Sequence, residues 1–221
     1  WGGSRLPAPR AAPLLAPALA AGLVAVAVGA TVQRNLVWQD PIAFYRQEAR
    51  LSPGKERAWT ALGKELMREG RFSEALEAFG TALNLARTDE GLEVRPVTLL
   101  NTVLALHYTG QHEKAFEMAE LLPLDMLAPV ERSRLFEVRG VALARMGRHA
   151  SARQSLVQAV QVYPNLDAVA WIAHVDLLEG KPELAAKRAR MVLDKEPGHA
   201  VATEVLARAE HGRSEGGAAT D

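Results

Sequence analysis

Apolar residues in the middle of the chain recur at intervals of three and four, in stretches that come in pairs. Between Ser133 and Leu166, Phe136, Gly140 and Leu143 share one stripe, and Ala152, Leu156 and Ala159 share another. That spacing places each set on a single face of a helix. Gly147 between them can take the left-handed turn that ends a helix, and Pro164 cannot continue one. The stretch predicts two helices folded back on each other, with Gly140 small enough to let the second approach the first. Earlier in the chain, Trp59, Leu62, Gly63, Leu66, Gly70, Phe72, Ala75, Phe79 and Ala82 stand at the same offsets. A weaker copy lies between the two, with Leu99, Leu106, Gly110 and Ala115. Thr102 and Val103 replace its Leu-Gly pair, so its helices are expected to pack less closely. A fourth copy carries Ala173, Gly180, Ala185, Ala189 and Pro197.

The flanks follow different rules. Residues 1–10 form a short flank with Arg5 and Arg10, and residues 11–33 contain no charge. A bilayer is crossed by about 20 apolar residues in a helix, so residues 11–33 are expected to form a transmembrane helix. Ala21, Ala25 and Gly29 repeat a small residue at every fourth place, the pattern that lets membrane helices pack closely. Pro17 should kink this helix. A cleaved secretory signal, with Val28-Gly29-Ala30 as its small-residue site, is the alternative, and a buried soluble helix is a third. Residues 34–55 read as a junction and half repeat: Asp40 as N-cap, Pro41 in the first turn, then Phe44, Tyr45, Glu48 and Ala49 at helical spacing up to Pro53. Val201, Val205 and Ala209 predict a closing helix over 200–212, and the small, polar residues 213–221 are expected to be disordered.

The repeated pattern resembles the tetratricopeptide repeat, a helical hairpin with a period of roughly 34 residues. It covers 56–199 as four repeats, with extra residues before the second and third. The resemblance implies an all-α fold, a tetratricopeptide helical-hairpin solenoid preceded by the transmembrane helix. It also implies a protein that binds other proteins through the groove lined by the first helix of each repeat. Some members hold a C-terminal carboxylate with Lys, Asn and Arg. Asn101 and Arg134 match two of those positions, whereas Thr60, Lys64 and Val138 do not match the rest.

A second resemblance lies at the junction. Arg34-Asn35, Trp38 and Asp40 after an apolar stretch, followed by a repeat tail, look like the C-terminal end of the transmembrane and tetratricopeptide-repeat O-mannosyltransferases and their bacterial relatives. That resemblance implies a last membrane span, a tail on the exoplasmic (periplasmic) side of a bacterial inner membrane, and catalytic parts upstream of residue 1. The chain begins at Trp1 and reads as a fragment or a processed product. Three functions stay open: a membrane-attached scaffold, the recruiting tail of a membrane glycosyltransferase, and a signal-cleaved periplasmic assembly factor.

The 221 residues carry 26 basic and 26 acidic side chains, and this balance argues against a nucleic-acid binder. With no cysteine, disulfides and thiolate chemistry are excluded. None of the six histidines pairs with another at the i, i+4 spacing of a metal site, and no nucleophile elbow or phosphate loop occurs. No cofactor is called for. His112 and His149 occupy a place where an aromatic usually packs, and they read as core filling.

What remains is the groove. Its expected surface is Arg57, Thr60, Lys64, Met67 and Arg68, then Leu100, Asn101, Leu104, His107 and Tyr108. The third repeat adds Arg134, Glu137, Val141 and Arg145, and the fourth Asp167, Trp171, His174 and Leu178. The binding residues are taken to be Arg57, Lys64, Arg68, Asn101, Tyr108, Arg134, Arg145, Trp171 and His174. A basic rim around an apolar middle suits a protein or peptide ligand with acidic side chains or a C-terminal carboxylate.

Overall fold

Gly70, Gly110, Gly147 and Gly180 have φ between 69° and 76°, and they set the architecture. Only glycine adopts this region without steric cost. At each, the following residue donates its N–H to a carbonyl five residues back: Arg71 to Leu66 (2.9 Å), Gln111 to Leu106 (2.9 Å), Arg148 to Leu143 (2.8 Å) and Lys181 to Asp176 (2.9 Å). One turn, used four times, closes four helical hairpins.

The computed structural model describes the backbone of residues 12–88, 91–92 and 95–217, and the side chains of residues 17–32, 40–86 and 95–211. Among these, eleven α-helices follow in order. An N-terminal α1 (Ala12–Gln39) and α2 (Pro41–Leu51) lead into α3 (Glu56–Arg68) with α4 (Phe72–Leu85), then α5 (Pro96–Tyr108) with α6 (His112–Ala119). The pairs α7 (Pro129–Arg145) with α8 (His149–Val162) and α9 (Leu166–Leu178) with α10 (Pro182–Leu193) come next, and α11 (Ala200–Gly217) closes the array. Each hairpin packs on its neighbours, α4 on α5, α6 on α7, α8 on α9, and α10 on α11. No central core is needed in such a stack.

The hairpins close on alanine. Ala75, Ala115, Ala152 and Ala185 stand five residues after each turn glycine, and none has any exposed surface. A further pair of positions trades size. A Cβ on Gly63 would lie 2.5 Å from the Phe79 ring, and one on Gly140 would lie 2.5 Å from Leu156 Cγ. In the second hairpin Val103 takes the glycine's place, and the large residue opposite becomes Ala119; both are buried in one cluster. The looser packing expected from Thr102 and Val103 is thus offset by a smaller partner. Thr102 turns its hydroxyl back to the Thr98 carbonyl (2.8 Å).

The extra residues between repeats are housed in the connections. Before the second hairpin, β1 (Arg87–Thr88) and β2 (Gly91–Leu92) pair antiparallel. Before the third, a 3-10 turn spans Leu124–Met126. The half repeat forms as expected: Asp40 Oδ1 accepts from Ala43 N–H at 3.0 Å, Pro41 opens α2, and Ile42 and Ala49 are buried.

The two flanks carry further expectations. Every described side chain of α1, from 17 to 32, is exposed. Among the described residues no helix is long and apolar enough to cross a membrane. The transmembrane helix expected over 11–33 is therefore not shown, and the ends of that stretch lie outside the described side chains. The side chains of Arg34, Asn35 and Trp38 lie outside them too, as do residues 1–10. At the other end α11 runs on to Gly217 rather than stopping at 212. A helix-interior glycine costs about 1 kcal/mol relative to alanine but does not by itself end a helix. The tail expected to be disordered from 213 is helical to that point, and residues 218–221 lie outside the described residues.

Candidate functional site

The first helices, α3, α5, α7 and α9, lie side by side and form the inner face of the array. Arg57, Lys64 and Arg68 are exposed on α3. Arg68 is turned to Glu65 of its own helix at 3.0 Å. Among the described residues neither Arg57 nor Lys64 has an ion-pair partner.

The structure brings the other expected residues together in two groups. Tyr108 stacks on Phe72 with ring centroids 4.5 Å apart, and its hydroxyl accepts from Arg134 at 3.0 Å. The Arg145 guanidinium lies over the Trp171 ring at 5.1 Å, and His174 meets the same ring edge-on at 5.0 Å. Asn101 on α5 is half-buried, and its buried Nδ2 has no hydrogen-bond partner among the described residues.

The expected apolar middle is absent. Leu100, Leu104 and Val141 are buried, as is Thr60. A first helix packs against its own hairpin partner and also against the next first helix, so more of its circumference is buried than one stripe suggests. Thr60 is drawn inward by Glu56 (3.0 Å) and Thr98 (3.1 Å).

Acids hold the middle of the inner face, and each is tied to the start of the following first helix. Glu56 accepts from Arg95 (2.9 and 3.1 Å) and Thr98 (2.8 Å) at the start of α5. Glu137 on α7 accepts from Asn165 (2.9 Å), whose own side-chain oxygen caps α9 through Ala168 N–H (2.9 Å). Asp167 on α9 lies 3.0 Å from His199 Nε2, whose Nδ1 caps α11 through Ala202 N–H (3.3 Å). Glu56, Asn165 and His199 were not among the residues read from the sequence. The position of Asn165 and His199 just after a proline, where a helix begins, was the available signal.

The electrostatics follow from this arrangement. Burial raises the Glu56 carboxyl, but hydrogen bonds from Arg95, Thr98 and Thr60 outweigh it and hold the group below its ordinary value. Burial lifts Glu137, only partly offset by Asn165. His107 is pushed down to about 4 by burial, then by His112, Arg134 and Arg145. Burial lowers His174 and His112 as well. The groove histidines are neutral at pH 7, its acids are committed to structural bonds, and its uncommitted charge is cationic. Among the described residues no group of three or more potential metal ligands occurs.

Comparison with known proteins agrees with this geometry. Residues 56–89 match the family model of the tetratricopeptide repeat. A chain of the Cut9–Hcn1 hetero-tetramer of the APC/C superposes with a TM-score of 0.60 at 19% identity, over 75% of this chain and 32% of that one. MamA from Desulfovibrio magneticus RS-1 superposes at 0.58 and 17%, over 76% and 92% of the two chains. YrrB, described as a TPR protein with an unusual peptide-binding site, superposes at 0.57 and 17%, over 77% and 86%. No curated protein matches at significant sequence similarity. The fold is a predominantly helical tetratricopeptide-repeat solenoid.

Proposed function

We propose that this chain is a docking scaffold whose groove holds an anionic segment of a partner protein, and that α1 attaches it to a membrane. The observation that supports docking is the imbalance in the groove. Glu56, Glu137 and Asp167 are engaged by Arg95, Asn165 and His199, whereas among the described residues Arg57 and Lys64 have no ion partner and Arg145 rests on an aromatic face. A partner's carboxylates are the complement, whether side chains or a C-terminus. Attachment is supported by α1, where Leu19, Leu23, Val24 and Val26 are all more than 60% exposed. A helix apolar on all sides has no solvated face to turn outward. Arg5 and Arg10 ahead of the apolar stretch support an exoplasmic groove.

The test is binding of a labelled acidic peptide, followed by fluorescence anisotropy. Arg57→Glu with Lys64→Glu should weaken binding about tenfold without moving the melting curve, and the parent's affinity should fall with added salt. Equal affinity in both proteins would leave the groove a solvated surface. For attachment, the native product should resist alkaline extraction from membranes; release into the supernatant counts against it.

A further inference from the structure

The groove differs in character from end to end. On α3 the exposed groups are Arg57, Lys64 and Arg68, and among the described residues neither Arg57 nor Lys64 has an ion partner. On α9, Trp171, His174 and Leu178 stand at i, i+3 and i+7, one stripe of the helix. Leu178 is 40% exposed, and Trp171 and His174 are half-buried. Apolar side chains left open on the inner face of the last hairpin are unlike those of α5 and α7, where Leu100, Leu104 and Val141 are buried against neighbours. The middle offers polar groups, the Tyr108 hydroxyl and Arg134.

We infer that the groove reads a two-part segment, with carboxylates at the α3 end and a large apolar or aromatic side chain at the α9 shelf. This rests on the docking reading above and specifies its partner. Neighbouring helices pack about 8–10 Å apart, so three steps from α3 to α9 span roughly 25 Å. An extended chain covers that distance in about seven residues at about 3.3–3.6 Å each. Charge alone satisfies only α3, and an apolar residue alone satisfies only α9.

Synthetic peptides test the inference on the full chain. One set carries an acidic Asp-Glu-Glu block joined to Leu-Phe by Gly-Ser spacers of about two, about seven and about fourteen residues; the controls carry either block alone. The joined peptide with the middle spacer should bind at least about tenfold tighter than either block alone, and tighter than with the shorter spacer. Lys64→Glu and Leu178→Glu, both at exposed positions, should each remove that gain while leaving the thermal transition in place. If affinity does not depend on the spacer, or the acidic block alone binds as tightly, the two-part reading is wrong while docking of an acidic segment survives. If no peptide carrying the acidic block binds, both readings fall.

Discussion

Val103 occupies a place that two of the other three hairpins give to glycine, and Ala119 occupies the facing place that they give to Phe79 and Leu156. Burial of Val103 and Ala119 in one cluster makes the exchange a matter of volume. Enlarging one side without shrinking the other must overpack. Ala119→Leu should destabilise the protein by about 1–3 kcal/mol. Combined with Val103→Gly, the loss in urea unfolding should be smaller than the sum of the two single losses by about 1 kcal/mol or more. Simple additivity would show that the two positions are not opposed. The glycines and alanines of the repeat were legible as a pattern, because small residues at fixed offsets leave a mark on the sequence. The size exchange was not, because it links residues on different helices.

At the scale of the element, the fourth hairpin departs from the rest at Asp176. Its position, four before the turn glycine, holds Leu66, Leu106 and Leu143 in the other hairpins. Asp176 is fully buried, with Arg153 of α8 at 2.7 Å and Arg188 of α10 bonded to its other oxygen. Arg153 also reaches Glu179 at 2.9 Å. A buried carboxylate between two arginines ties three helices together where a leucine would only fill space. Removing one partner of a buried pair costs about 3–5 kcal/mol when the other is left stranded. Here both arginines keep some access to water and Arg153 keeps Glu179, so Asp176→Ala should cost about 1–3 kcal/mol. The loss should appear first as faster amide exchange in α9 and α10. Asp176→Leu, which restores the residue of the other hairpins, should cost less than the alanine. If the two are equal, the ion cluster rather than the lost volume sets the stability there. Sequence alone shows this acid only as one polar residue in an apolar stripe. Its partners come from other helices, and spacing along one helix does not reveal them.

For the whole molecule, the solenoid was readable from periodicity, but only part of the groove was. Exposure on a first helix depends on the next repeat, which is why Thr60, Leu100, Leu104 and Val141 face inward. The same burial gives the molecule a pH dependence. His107, held near 4, takes up its proton more readily in the unfolded chain, whose value is near 6.5. Its contribution is intact above about 6.5 and is lost as pH falls from there towards 4. His112 and His174, shifted the same way, add to the loss. Glu137 acts in the opposite sense, since its raised carboxyl favours the folded state below the ordinary carboxylate value. Urea unfolding at pH 5 should therefore show lower stability than at pH 7, by about 2 kcal/mol from His107 alone. His107→Gln should flatten the profile between those values, and a parent profile already flat there would contradict the burial of His107. The turn glycines carry a last consequence. Gly70, Gly110, Gly147 and Gly180 are exposed along one edge, each with the backbone in the region natural to a mirror-image amino acid. The array is therefore built of left-handed building blocks with four joints that favour the opposite chirality. A chemically made copy with D-alanine at these joints would give the unfolded chain fewer states to lose, while L-alanine at the same joints would strain every hairpin.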